Sequence, residues 1–322
     1  MKKMITGLKP TGEMLHLGNL LGAVLPFKEL AKTHDSACFI ADLHALTSVK
    51  NGNTLRAQTH ELALEYLTLY GVDSGVTIFR QSDIVGIPLL SWILSNVTPL
   101  SLMLRAHSFK DAEAKNSDIN MGVFEYPILM SADILGYGID LVPVGQDQRQ
   151  HLEMARDIAR SFNKTYGESI LVEPTEYIMP EVATIPGLDG RKMSKSYNNF
   201  IGVFEDEKSL KKKISTIVTD SLGVEDSKNP NTCNVFALIA YFAPEVRRES
   251  IRAKYLAGGY GYGHAKAELL EILIDYLRPY WELRAKLVLD PGFIEAELVR
   301  GAFKMNARLD ETMQRVRKFA GV

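Results

Sequence analysis

The chain has 322 residues, 46% apolar and 24% charged, the balance of an ordinary globular protein with enough length for two domains. A formal charge of −2 and a pI near 6.4 exclude a globally basic nucleic-acid binder, though not a local basic surface. Cys38 and Cys233 stand alone in apolar surroundings, which excludes a zinc centre, an iron–sulfur cluster and a disulfide framework. No apolar run reaches the ~18 residues of a membrane span. The start, "MKKMITGLKPTGE", lacks the apolar core of a signal peptide, so the expected place is the cytoplasm.

Over the first 150 residues, short apolar runs alternate with amphipathic stretches. "KKMITGL" reads as a strand ending at glycine, and "LGNLLGAVLPFKELAKT" as the helix after it. "SACFIADLHAL" is a second buried strand, followed by the helical "NTLRAQTHELALEYLTLYG"; "VTIFRQS" and "DLVPVG" are later strands. Such a pattern predicts a parallel βαβ sheet. "RAHSFKDAEAKNSDIN" (residues 105–120) is polar and without sustained period, and reads as a mobile connection. After residue 200 the spacing is helical: "EDEKSLKKKISTIVTDSL", "NVFALIAYFA", "HAKAELLEILIDYLRPYWELRAKLV" and a tail with repeated arginine and lysine. "GGYGYGH" is a single glycine-rich turn.

Two stretches carry chemistry. "TGLKPTGEMLHLGN", Thr6 to Asn19, follows the first strand, where ligands of open parallel sheets gather and helix N-termini favour phosphate. Gly7, Gly12 and Gly18 would let a nucleotide approach the backbone, while His16 and Asn19, three apart, share one side of a first helical turn. "GRKMSKSYNN", residues 190–199, offers Lys192 and Lys195, compact cations on flexible stems suited to a phosphate chain. Gly187 and Gly190 would permit that loop to shift. Separately, each could be a plain turn or a solvated loop.

Together, H-x-G-N and K-M-S-K-S about 175 residues later resemble the paired signatures of class I aminoacyl-tRNA synthetases, the second letter for letter. "GVFEYPILMSADILGYGIDLVPVGQDQRQHLEMARDIARSFN", "ADLHALT" and "SFKDAEAK" are similar to the bacterial tryptophanyl-tRNA synthetases, over roughly residues 4 to 290. The resemblance implies a Rossmann-like parallel-sheet catalytic domain over residues 1–200, with a helical connective segment near 105–140. It also implies an all-helical anticodon-binding domain over 201–322, and arginines of the tail (Arg308, Arg315, Arg317) would meet the anticodon arm. The implied reaction activates L-tryptophan with ATP and Mg²⁺, releases pyrophosphate, and esterifies the terminal adenosine of tRNA(Trp). A homodimer is implied as well.

The residue roles follow the same likeness. Lys192 and Lys195, with His16 and Asn19, would be catalytic. The ATP site would add Lys9, Pro10, Thr11, Gly18, Gly145, Gln146, Asp147, Val182, Met193, Ser194 and Ser196. Tryptophan would meet Asp133, Tyr126, Gln148, Met130, His44 and Ile5. An indole offers one N–H on an apolar body, so a selective pocket needs one buried acceptor, and Asp133 in the apolar "YPILMSADILGY" fits. His151 reads as packing or capping. Lys9 stands where most relatives carry glutamine, and Ile5 where phenylalanine often lines the pocket. The "GEMLHLGN" turn is one residue longer than in many relatives. Other readings are a tyrosyl-tRNA synthetase on the same scaffold, another nucleotidylyltransferase, or a non-charging RNA-binding paralogue.

Overall fold

The computed structural model describes residues 1–12, 14–114, 119–145, 149–167, 169–178 and 185–322. Five strands, β1 (Lys3–Leu8), β2 (Asp35–Ile40), β3 (Thr77–Arg80), β4 (Leu141–Val144) and β5 (Thr175–Ile178), form one sheet ordered β3-β2-β1-β4-β5. The helices between them are α1 (Leu17–Asn19), α2 (Leu25–Ala31), α3 (Asp42–Ala45), α4 (Gly52–Tyr70), α5 (Gly86–Ser95), α6 (Leu100–Met103), α7 (His107–Ala114), α8 (Met121–Leu135) and α9 (Arg149–Tyr166). Beyond the sheet come α10 (Glu207–Ser215), α11 (Asn234–Phe242), α12 (Glu245–Ala257), α13 (Tyr262–Val288) and α14 (Pro291–Ala320). All strand pairings are parallel, with Ile5 opposite Ala37 and Phe39 opposite Phe79. This is the Rossmann-like sheet that the alternation implied, followed by helices.

The chain gathers into two compact units, one of residues 1–13, 27–179 and 287–322, the other of residues 14–26 and 180–286. In the first, β2 is buried along nearly its whole length because both faces of a parallel sheet are covered; Ala37, Cys38 and Ile40 are wholly inaccessible. Asn51 caps α4 by accepting the Thr54 N–H, and Gly71, at φ 84°, ends it. Residues 107–114, expected as a mobile connection, are helical, and Phe109 packs edge-on against Phe124 at 5.2 Å between centroids.

The last helix departs most from expectation. Instead of joining a domain that begins at residue 201, α14 lies in the sheet-containing unit. Gly301 rests against the Ile78 carbonyl of β3, and a β-carbon there would overlap it. Arg308 is nearly buried in an ion pair with Asp35, Lys304 bonds Asp35 and Thr77, and Arg315 donates to the Ser169 carbonyl at 2.7 Å. Arg308, largely covered and ion-paired within the fold, is withheld from an RNA backbone, and Arg315 is engaged within the fold.

In the second unit, α10 to α12 and most of α13 enclose Val235, Leu238, Ile239, Ile251, Leu269 and Leu273, all at 0% exposure. Its described residues contain no strand, only isolated bridges His16–Gly202 and Pro186–Lys192.

Candidate active site

In the first unit, β2 and β3 end in short turns that are clasped together. Asp42, at the start of α3, accepts the Leu43 and Ser82 amides at 3.0 Å each and the Ser82 hydroxyl at 2.5 Å. That clasp sets His44 and Gln81 beside α8. On α8, Tyr126, Met130 and Asp133 recur at helical spacing and so share one face. Asp133 is 1% exposed, and its Oδ2 accepts His44 Nε2 at 3.0 Å and Gln81 Nε2 at 2.7 Å. Its Oδ1 is buried and has no hydrogen-bond partner among the described residues. Burial raises the carboxyl's pKa, and the donors from His44 and Gln81 oppose that rise. With the carboxyl ionised, Oδ2 only accepts and His44 Nε2 is the donor of this pair.

The His44 and Tyr126 rings meet edge to face at 6.0 Å, and the Tyr126 hydroxyl shares a 2.9 Å hydrogen bond with His151 Nε2. Ile5 (1% exposed) belongs to the surrounding core, and Met130 packs against it. Lys9 leaves β1 and donates to Thr47 Oγ1 at 3.1 Å, while that hydroxyl donates to the His44 carbonyl at 2.8 Å. Partial burial lowers the Lys9 pKa. Pro10 is buried; Thr11 and Gly145 are exposed.

In the second unit, H-x-G-N is a closed local device. His16 N–H donates to Asn19 Oδ1 at 3.1 Å, and Asn19 N–H donates to His16 Nδ1 at 3.2 Å, a capping box on α1. With Nδ1 accepting, the ring proton sits on Nε2. Gly18 is glycine because a β-carbon would meet the imidazole at 2.8 Å. Burial first, and then the Lys195 ammonium, pull the His16 pKa down to about 4. The imidazole is therefore neutral at physiological pH and a donor through Nε2. A π-helical turn, Leu20–Val24, follows α1 directly.

The strand-like segment after the lysine loop fixes this device. Leu17 N–H donates to Ile201 O and Val203 N–H to Leu15 O, and His16 lies 5.9 Å from the Phe200 ring. Lys192 and Ser196 are exposed, Ser194 and Lys195 half-buried, and Met193 (3%) is the buried anchor between them.

The structure thus gathers His44, Asp133, Tyr126, Met130 and Ile5 in one unit and His16, Gly18, Asn19 and the lysine loop in the other. Gln146, Asp147, Gln148 and Val182 lie outside the described residues. Two contributors escaped the sequence reading. Gln81 sits at 0% exposure on Asp133, and His151, read as packing, holds the Tyr126 hydroxyl. A buried glutamine directly after a strand was the only local sign of the former.

The family model described as tRNA synthetases class I (W and Y) matches residues 1–278. A tryptophan–tRNA ligase of Fusobacterium nucleatum is 42% identical over 323 residues, spanning 100% of this chain and 98% of the relative. The crystal structure of Campylobacter jejuni tryptophanyl-tRNA synthetase complexed with ADP and tryptophan has a TM-score of 0.94 at 40% identity, covering 99% of this chain and 100% of that one. The structure of the Mycoplasma pneumoniae synthetase has a TM-score of 0.79 at 27% identity, covering 100% and 98%. The chain belongs to the class I tRNA synthetases of the tryptophan and tyrosine family.

Proposed function

We propose that the chain is a tryptophan–tRNA ligase. The observation that carries the reading is the buried, unpartnered Oδ1 of Asp133. An orphaned acceptor at the foot of an apolar helix is costly unless a ligand donor completes it, and an indole supplies a single N–H on an apolar body. Tyr126 would meet the ammonium group, with Met130, His44 and Ile5 around the ring. A phenol could also donate to the open Oδ1. Relatives about 40% identical over essentially the whole chain are tryptophan enzymes, which favours indole over phenol.

In the first step the tryptophan carboxylate oxygen attacks the ATP α-phosphorus, and pyrophosphate leaves with the bonding pair. Little acid–base chemistry is required, so rate comes from alignment and from charge placed where it develops. Within the second unit, Lys192 and Lys195 would supply positive charge, neutral His16 and Asn19 would donate to phosphate, and Gly18 and Met193–Ser196 would border the nucleotide. Among the described residues no three His, Cys, Asp or Glu side chains gather around one point. Mg²⁺ would come with ATP as part of the substrate and would offset charge on the leaving pyrophosphate. The tRNA's terminal hydroxyl then attacks the adenylate carbonyl and releases AMP.

The exposed lysines of α10 (Lys208, Lys211, Lys212) suit a phosphate backbone, which keeps an anticodon-binding role for helices of the second unit rather than for α14. Val85, Leu89, Trp92, Leu100, Leu104 and Met121 are exposed on neighbouring elements of the first unit, and Trp92 walls a cleft of about 420 Å³. So large an apolar face fits a homodimer interface. No helix among the described residues is long and apolar enough to cross a membrane; the proposed substrates support a cytoplasmic location.

ATP–pyrophosphate exchange tests the reading. It should depend on tryptophan and not on tyrosine, and transcribed tRNA(Trp) should then be charged. Exchange supported only by tyrosine would replace it with the second amino acid.

A further inference from the structure

Residues 185–199 hold the two lysines in a small folded unit. Met193 N–H donates to Ile185 O at 2.8 Å and Gly187 N–H to Arg191 O at 2.7 Å, pairing two short arms. Gly190, at φ 82°, closes the turn between them. A single 3-10 turn, Lys195–Tyr197, and a left-handed Asn198 (φ 50°) then bring the chain back and deliver Asn199 against the arms.

Asn199 is 3% exposed, and its carboxamide is fully engaged. Oδ1 accepts the Ser194 N–H at 2.8 Å; Nδ2 donates to Asp189 Oδ1 at 2.7 Å and to the Lys192 carbonyl at 3.1 Å. Its backbone carbonyl accepts the Leu188 N–H at 2.8 Å. Asp189 in turn pairs with Arg191, whose guanidinium lies 4.5 Å from the Tyr197 ring centroid. Gly187 is glycine because a β-carbon would overlap the same carboxamide. Packing, rather than freedom to shift, is what that glycine supplies.

We infer that Asn199 is a positioning residue for the transition-state cations, its carboxamide fixing the backbone that carries Lys192 and Lys195. The inference rests on the reading of those lysines as phosphate-binding groups of a tRNA ligase. A lysine's long stem cannot by itself hold charge in place; the backbone at its root must. One amide binds the carbonyl of Lys192 and the N–H next to Lys195, so it couples the two roots. Without it both charges remain, but their placement is lost. The effect then falls on the step in which charge develops, and not on tryptophan binding.

The test uses the full chain and four proteins: wild type, Asn199→Ala, Lys195→Ala and the double variant. Asn199→Ala should lower kcat for pyrophosphate exchange by about tenfold or more, the scale of leaving buried partners unmade. The KM and equilibrium binding of tryptophan should not change, and hydrogen exchange of the Ser194 amide should quicken. Because Asn199 acts through both lysines, the double variant should lose less than the product of the two single losses, the remainder being the placement of Lys192. Multiplied losses, or tryptophan binding lost with rate, would make Asn199 a fold support and overturn the inference. Wild-type rates in Asn199→Ala would overturn it too. If Asn199→Ala fails to fold, Asn199→Asp keeps the acceptor for Ser194 but sets a carboxylate against Asp189. Adding Asp189→Asn should then restore part of the rate, and no recovery would count against the clamp. A wild type inert with tryptophan would sink the ligase reading, and the inference with it.

Discussion

Asp133→Asn is the perturbation with the most determinate outcome. In the wild type, His44 and Gln81 both donate to Oδ2, which leaves the carboxylate's Oδ1 open among the described residues. An asparagine has one acceptor oxygen, and two fixed donors hold that oxygen at the Oδ2 position. The amide NH₂ is then turned to where the indole N–H must be received, donor facing donor. The variant loses a charge-assisted bond worth about 1.5–3 kcal/mol, so kcat/KM for tryptophan should fall roughly tenfold to a hundredfold or more. The assay is pyrophosphate exchange with tryptophan and with an analogue carrying oxygen or sulfur in place of the indole nitrogen. The analogue has no proton to donate, so it should be poor with the wild type and lose much less with the variant. Thermal stability should not drop, because burial opposes ionisation of this carboxyl and the substitution removes that cost. Equal loss for both substrates, with a lowered Tm, would show that Asp133 only supports α8.

Four further outcomes are expected. Lys195→Ala should lower kcat by about 10²–10³, the scale of one transition-state donor, with tryptophan affinity intact by equilibrium dialysis; parallel losses would assign the lysine to ground-state binding. His16 should titrate near about 4 by NMR, and Lys195→Ala should raise the midpoint, since the ammonium is a cause of its depression. As the folded pKa lies below the ordinary 6.5, the contribution of neutral His16 to stability is intact above that value and fades as pH falls toward about 4. Gly301→Ala should cost about 1–3 kcal/mol in urea unfolding, because the new methyl meets the Ile78 carbonyl. Trp92→Glu should yield monomers in sedimentation velocity, and an unchanged dimer would place the interface elsewhere.

What the sequence disclosed depended on how far each signal had to reach along the chain. The run "ACFI" is continuously apolar because a central parallel strand is covered on both faces, so composition alone revealed β2. At the edge of the sheet the short β5, "TEYI", pairs only with β4 and carries a glutamate held by Arg149, so its polar half hid it. The stripe of arginines on α14 read as an RNA surface. Arg308 instead meets Asp35, 273 positions earlier, and no window along the chain shows such a partner.

The candidate site divides along the same line. His16, Gly18 and Asn19 make one another's geometry within four residues, so the motif and its mechanism were both legible. Asp133 was legible as an odd charge in an apolar helix, but what makes it selective was not. Its donors come from 52 and 89 residues away, and they act by subtraction. Each takes a lone pair of Oδ2, and neither touches Oδ1. In the proposed reading, selectivity for a single N–H donor would arise from the acceptor left over, a property of the assembled network that none of its residues carries alone.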